Sequence, residues 1–164
     1  MWHEIALISA LALVPALSGA VAQNRVTTEA GRHDDDAVAP AIRIAAALDP
    51  LRFDGSWQTT VSCPNASEAL AYFYEFTSQV KDSVLRGQRG VEGKPGWLNL
   101  DGRINPDGTA TIQAKGLVGN SAYAQGNVPA GNPYNYRVSA LFEDTTGTGD
   151  RLDGRVCHYT FVKQ

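Results

Sequence analysis

"RFDGSWQTTVSCPN", residues 52–65, and "GRVCHYTFVKQ", residues 154–164, each carry one of the chain's two cysteines. Both stretches alternate. Trp57, Thr59, Val61 and Cys63 share one face of an extended strand, with Gln58, Thr60 and Ser62 on the other. Cys157, Tyr159, Phe161 and Lys163 share a parity in the same way. Setting Cys63 opposite Cys157 in antiparallel register pairs Val61 with Tyr159, Thr59 with Phe161 and Trp57 with Lys163, all on one face. An open sheet leaves two unpaired edges, and pairing the first strand with the last removes both. The two stretches therefore predict a closing seam stapled by a disulfide, with Lys163 over the indole of Trp57.

Between these ends the period stays at two. "YFYEFTSQVK" puts Tyr72, Tyr74, Phe76 and Val80 on one face, and "DS" at 82–83 makes a tight turn before "VLRGQRG". "GWLNLDGRI" presents Leu98, Leu100 and Ile104 to one side. "NPDG" at 105–108 is a hairpin turn, since Pro suits its second position and Gly supplies positive φ, and "TATIQAKG" follows. Residues 117–133 form a long loop with a weak strand expected at 122–127. "YNYRVSALFED" alternates again, "TTGTG" reads as a turn, and "DRLDGRVCHYTFVK" as the last strand. These are seven clear strands and one doubtful one. The expectation is all-β: a single antiparallel up-and-down barrel of about eight strands, calycin-like and closed by one disulfide, over residues 51–164.

The residues before it differ. "IALISALALVPALSGAVA", residues 5–22, is an apolar core ending in small residues, with Ala20-Val21-Ala22 as a cleavage site. "MWHE" lacks the usual Lys or Arg, so an uncleaved membrane anchor is the competing reading. Pro15, Ser18, Gly19 and the cleavage site favour a signal peptide over 1–22. Residues 23–50, rich in Ala and charge and free of aromatics, are expected to be a flexible linker with one short helix at 41–48. A periplasmic or secreted protein follows, with no membrane association after cleavage. In that oxidising setting two cysteines allow one intrachain bridge, Cys63–Cys157. A net charge of −3 and the lack of any basic cluster give no reason to expect nucleic acid.

Gly55-x-Trp57 near the start of the first strand, with a cation on the last strand crossing the Trp, resembles the calycin arrangement of lipocalins and avidins. The resemblance covers residues 53–63 and 155–163. No T-D-Y stretch occurs mid-chain, and the size is nearer to avidins and to small periplasmic barrels that inhibit metalloproteases. No biotin-binding residue is carried over. The domain is also similar to a group of small uncharacterised exported bacterial proteins that share "GVEGKPGWLNLDGRI", "DGTATIQAKG" and C-x-x-T-F-V-K. That likeness implies bacterial export and assigns no activity.

Few residues suggest chemistry. His33 with Asp34, Asp35 and Asp36 has cation-binding atoms, but a solvated charge run explains them better, and no metal or cofactor is expected. His158 faces away from Cys157 and needs a positioned nucleophile to act as a base. "GTGDRLDG" at 147–154 resembles one copy of a calcium-binding nonapeptide, which needs stacked copies, so it reads as a turn. "GQRGVEGKPG" at 87–96 lacks phosphate-loop spacing and reads as a flexible lip. Asn65-Ala66-Ser67 is a glycosylation sequon.

The aromatics carry the functional expectation. Trp57, Tyr72, Tyr74, Phe76, Tyr134, Tyr136 and Tyr159 point into the barrel, with Phe142 and Phe161. A small barrel either fills its interior or keeps room for one small ligand. Buried tyrosine hydroxyls need partners, so several inward tyrosines favour a polar-edged pocket. The expectation is a non-enzymatic binding module for a small apolar or aromatic ligand. The alternative is a protein-interaction or protease-inhibitor barrel that inserts the N-terminal segment or the 117–133 loop into a partner.

Cleavage after Ala22 makes the periplasmic protein start at Gln23. Its intact mass should match that chain; a membrane-fraction protein beginning at Met1 would reject the signal-peptide reading.

Overall fold

The computed structural model describes residues 49–164. The expected signal peptide, nearly all of the linker, its short helix and the His33 charge run lie outside the described residues. A 3-10 turn, Pro50–Phe53, leads into eight strands: β1 (Gly55–Cys63), β2 (Tyr72–Lys81), β3 (Val84–Arg89), β4 (Leu98–Ile104), β5 (Thr109–Leu117), β6 (Pro133–Phe142), β7 (Thr146–Arg151) and β8 (His158–Lys163). Every neighbouring pair is antiparallel, and β8 returns to β1, so the sheet closes into an up-and-down barrel.

The closing register is the one the cysteines imply. Val61 pairs with Tyr159, Thr59 with Phe161 and Trp57 with Lys163. Cys63 and Cys157 form the disulfide at the end of this seam, with their Cα atoms 4.2 Å apart. The Lys163 ammonium lies 5.9 Å from the Trp57 ring centroid.

Two strand assignments change. Residues 122–127 form no strand. They fall in the 3-10 turns Ser121–Tyr123 and Gln125–Asn127, where the Asn120 side chain accepts from the Ala122 amide at 2.9 Å and Gly126 takes φ 72°. The eighth strand is β7, inside the stretch read as turns, and the expected single strand over 150–163 is divided by a loop at 152–157. Its glycines are there for space rather than for bending. A Cβ on Gly147 would stand 2.9 Å from Phe142, and one on Gly149 would stand 3.0 Å from the Ala140 methyl. Both glycines face inward opposite β6, and Thr146 and Thr148, which alternate with them, face out.

The two ends of the barrel differ. Turns at 82–83, 105–108 and 143–145 close one end; loops at 64–71, 90–97, 118–132 and 152–157 surround the other. At the tight end the core is filled. Phe53 from the 3-10 turn meets Phe142 edge-on at 6.2 Å, Trp57 meets Phe142 at 5.3 Å and 89°, and Phe161 lies 4.8 Å from Phe142. All four are fully buried. Polar ties hold this plug in place. The Trp57 indole donates to the Phe53 carbonyl at 2.8 Å, and the Lys163 ammonium donates to the Arg52 carbonyl at 2.8 Å. The Asp54 carboxylate accepts from the backbone amides of Asp82 and Ser83 in the β2–β3 turn. At Gly55 (φ 137°) an added Cβ would stand 3.1 Å from the Lys163 side chain, which gives the Gly-x-Trp spacing a physical reason.

Removing the bridge as Cys63→Ala/Cys157→Ala should cost about 2–5 kcal/mol in denaturant unfolding. Lys163→Ala should cost about 1 kcal/mol. In a Trp97→Phe background it should also shift the emission of Trp57. An unchanged spectrum would detach Lys163 from the indole.

Candidate ligand site at the open end

Above the filled half the barrel opens into a cavity of about 1050 Å³. The alternation that buries Val80 and Ser78 low on β2 carries Tyr74 and Tyr72 to the mouth, half-buried. On β6 it carries Tyr136 and Tyr134 to the same level above Val138 and Ala140. Strands β2 and β6 lie four apart in a ring of eight, on opposite walls. Within each wall the rings stack: Tyr72 on Tyr74 at 5.5 Å and 3°, Tyr134 on Tyr136 at 5.8 Å and 15°.

Of the seven aromatics expected at a site, these four tyrosines line the cavity. Phe76 and Tyr159 belong to the core beneath it, and the Tyr159 hydroxyl shares a 2.6 Å hydrogen bond with that of Tyr136. Trp57 sits at the far, closed end and touches no part of the cavity. Val118, Tyr123 and Val128, from the long β5–β6 connection, form part of the cavity wall.

Sequence reasoning missed the arginines. Arg89, Arg151 and Arg155 all line the cavity, and no Asp or Glu does. Arg89 lies over the Tyr74 ring at 4.3 Å, Arg151 over Tyr136 at 3.9 Å and Arg155 over Tyr72 at 4.9 Å. Each had a signal. Arg89 continues the inward parity of Leu85 and Gly87, and Arg151 that of Gly147 and Gly149. A charged residue at an inward position on a strand end marks a polar mouth, but the turn chemistry of 145–154 and of the glycine-rich 87–96 hides both strand ends in the sequence. Arg155 shares the inward parity of Cys157 in the expected last strand, but the structure places it in a loop.

Arg155 is a structural clamp. It is 3% exposed. Its guanidinium donates to the carbonyls of Pro64 and Leu70 in the β1–β2 loop, and to that of Tyr123 at 2.9 Å. One buried cation thus gathers two loops of the mouth around its own, beside the disulfide. Arg89 donates one bond, to the Gly96 carbonyl at 3.1 Å, and Arg151 one, to the Asp153 carbonyl. Neither forms a salt bridge among the described residues; the Asp153 carboxylate itself is taken by Arg137.

The tyrosines are held as phenols. Burial raises all of Tyr72, Tyr74, Tyr134, Tyr136 and Tyr159 above the ordinary value of 10.0, Tyr136 to about 12. For Tyr74 the neighbouring Tyr136, Tyr72 and Tyr134 add to the effect, while Arg89 opposes it. The Tyr134 hydroxyl reaches the Trp97 carbonyl at 3.5 Å; that of Tyr74 has no hydrogen-bond partner among the described residues.

His158 lies exposed on the outer face, as its parity implies, with its Nδ1 on the Asp150 carboxylate. Ser62 is its cross-strand neighbour on β1. No hydrogen bond joins Ser62 to His158, so the row lacks the nucleophile–base link that acyl transfer requires. Among the described residues no three His, Cys, Asp or Glu side chains are grouped to hold a metal ion, and no helix is long and apolar enough to cross a membrane. No family model, curated protein or solved structure matches the chain.

The buried phenols set the alkaline limit of the fold. Unfolded tyrosines lose their protons near pH 10, and these five keep theirs to higher pH. Above pH 10 the unfolded state therefore binds fewer protons and stability falls as pH rises; below it these groups add no slope. Phenolate absorbance from the five should appear together with unfolding. Titration of all of them near pH 10 in an intact barrel would contradict their burial.

Proposed function

We propose that this protein is an exported, non-enzymatic binding module of calycin-like type, which holds a small apolar or aromatic ligand in the open end of its barrel. The observation that carries this reading is the cavity of about 1050 Å³ between two tyrosine walls, above a core already filled. Its size and its aromatic lining with a few polar groups suit a small molecule. Filling that space would need no rearrangement of the packed half. The disulfide fits an oxidising compartment, and the periplasm or the exterior of a bacterial cell is the proposed location.

A second reading has its own support. Leu70, Phe73, Val91, Tyr123, Leu152 and Val156 are exposed at the open end. An apolar rim of this kind also suits a protein partner, as in an inhibitor barrel.

Native mass spectrometry of the protein isolated from its own periplasm separates the two. The expected result is a retained small molecule, lost from a Tyr74→Ala/Tyr134→Ala variant that keeps the wild-type melting temperature. An empty barrel that co-purifies with a second protein would replace the ligand reading with the partner reading.

A further inference from the structure

The charges at the mouth go beyond an apolar pocket. Of the seven arginines among the described residues, Arg52, Arg86 and Arg137 have carboxylate partners. Arg89, Arg103, Arg151 and Arg155 have none, and three of these four line the one cavity. The chain as a whole is negative, with a net charge of −3. A cation concentration in an acid-free cavity of an acidic protein is not a by-product of composition. Half-buried guanidiniums lose part of their hydration, and that loss is offset when an anion supplies hydrogen bonds in return.

The three cations are not equivalent. Arg155 spends its donors on loop carbonyls and contributes its charge alone. Arg89 and Arg151 each use one donor, which leaves the remaining guanidinium N–H groups of both without partners among the described residues. They stand at the ends of β3 and β7, four strands apart, on opposite walls of the mouth. Both still act on one phenol: each lowers the pKa that burial raises at Tyr134. Each also lies flat on a tyrosine, so its position is set by the same rings that wall the cavity.

We propose that the ligand is an amphipathic anion. Its negative group, a carboxylate or another oxyanion, binds free guanidinium donors at the mouth, either those of Arg89, with the Tyr74 hydroxyl beside them, or those of Arg151 on the facing wall. Its flat or apolar body lies between the Tyr72–Tyr74 and Tyr134–Tyr136 walls. This rests on the ligand reading above and adds the charge that reading lacks. A guanidinium gives a planar pair of donors that matches an oxyanion. Tyr74 stays neutral, and its unpartnered hydroxyl donates to the anion rather than repelling it.

Naphthoate and naphthamide test the charge with one body. Calorimetric titration of the intact barrel, freed of any retained ligand, should show naphthoate binding more tightly and losing affinity as salt is raised. In Arg89→Gln/Arg151→Gln, naphthoate should weaken about tenfold or more, while naphthamide should bind as it does to the wild type. The unchanged amide affinity reports that the cavity still folds. Arg89→Lys/Arg151→Lys should recover part of the loss. Equal binding of both probes to the wild type, or equal weakening of both in the glutamine variant, would overturn the anion while leaving the cavity a ligand site. Failure of both probes to bind the wild type would overturn the anion and the ligand reading together.

Discussion

The pairing of β1 with β8 is the contact on which the other features rest, because it turns a meander into a ring and fixes what each end of the ring can be. Its register places Trp57 against Lys163 at one end and the two cysteines at the other. At the Trp57 end the chain arrives through the 3-10 turn, and Phe53, Trp57, Phe142 and Phe161 pack into a plug whose indole and ammonium are both tied to backbone carbonyls. At the cysteine end the bridge draws β1 and the segment before β8 together. It thereby holds the loop that carries Arg155 next to the loop it clamps. A one-residue slip of the seam would turn outward either Trp57 on β1 or Tyr159 and Phe161 on β8. The plug and the mouth would fail together.

That dependence explains how much was legible. The seam was readable because its residues carry two independent signals, alternation and a unique cysteine pair, which agree on a single register. The strands β2, β4 and β6 were readable because large apolar side chains mark their inner faces, and β5 because it follows a clear hairpin turn at 105–108. β7 was not, because its inner face is made of glycine. Gly147 and Gly149 exist to leave room for Phe142, Ala140 and Val138 on β6. In a sequence, glycines that accommodate a neighbouring strand look the same as glycines that make a turn. Thr146 and Thr148 carry the outward half of the alternation, and that half alone did not outweigh the turn chemistry.

The site was half legible for a related reason. Parity along β2 and β6 identifies inward tyrosines, but it does not say how high they stand. Trp57 and Tyr74 share the barrel interior, yet one is the floor and the other the rim. Height follows from which strand ends carry tight turns and which carry long loops. The turns at 82–83 and 105–108 face the plug, so the ends of β1, β3, β5 and β7 must face the mouth. Arg89 and Arg151 are the last residues of β3 and β7, and that placement is what turns them from surface charges into lining.

The open end is built as a support and a working surface. Arg155 and the disulfide order the loops with contacts that are buried and saturated. Arg89 and Arg151 stand at the strand ends with charges only partly used. A cation whose donors are all taken by carbonyls is cheap to bury and has little left to offer a ligand. A cation laid on a phenol ring keeps a face and several N–H groups for a newcomer, and the ring contact holds its orientation without consuming them. An acidic protein that gathers such cations in a concave, low-dielectric mouth focuses a positive field there. The Tyr74 phenol extends that logic, since burial keeps it protonated and its hydroxyl stays free to donate. Rigid floor, saturated clamp and unsaturated rim are thus three consequences of one closed ring with unequal ends.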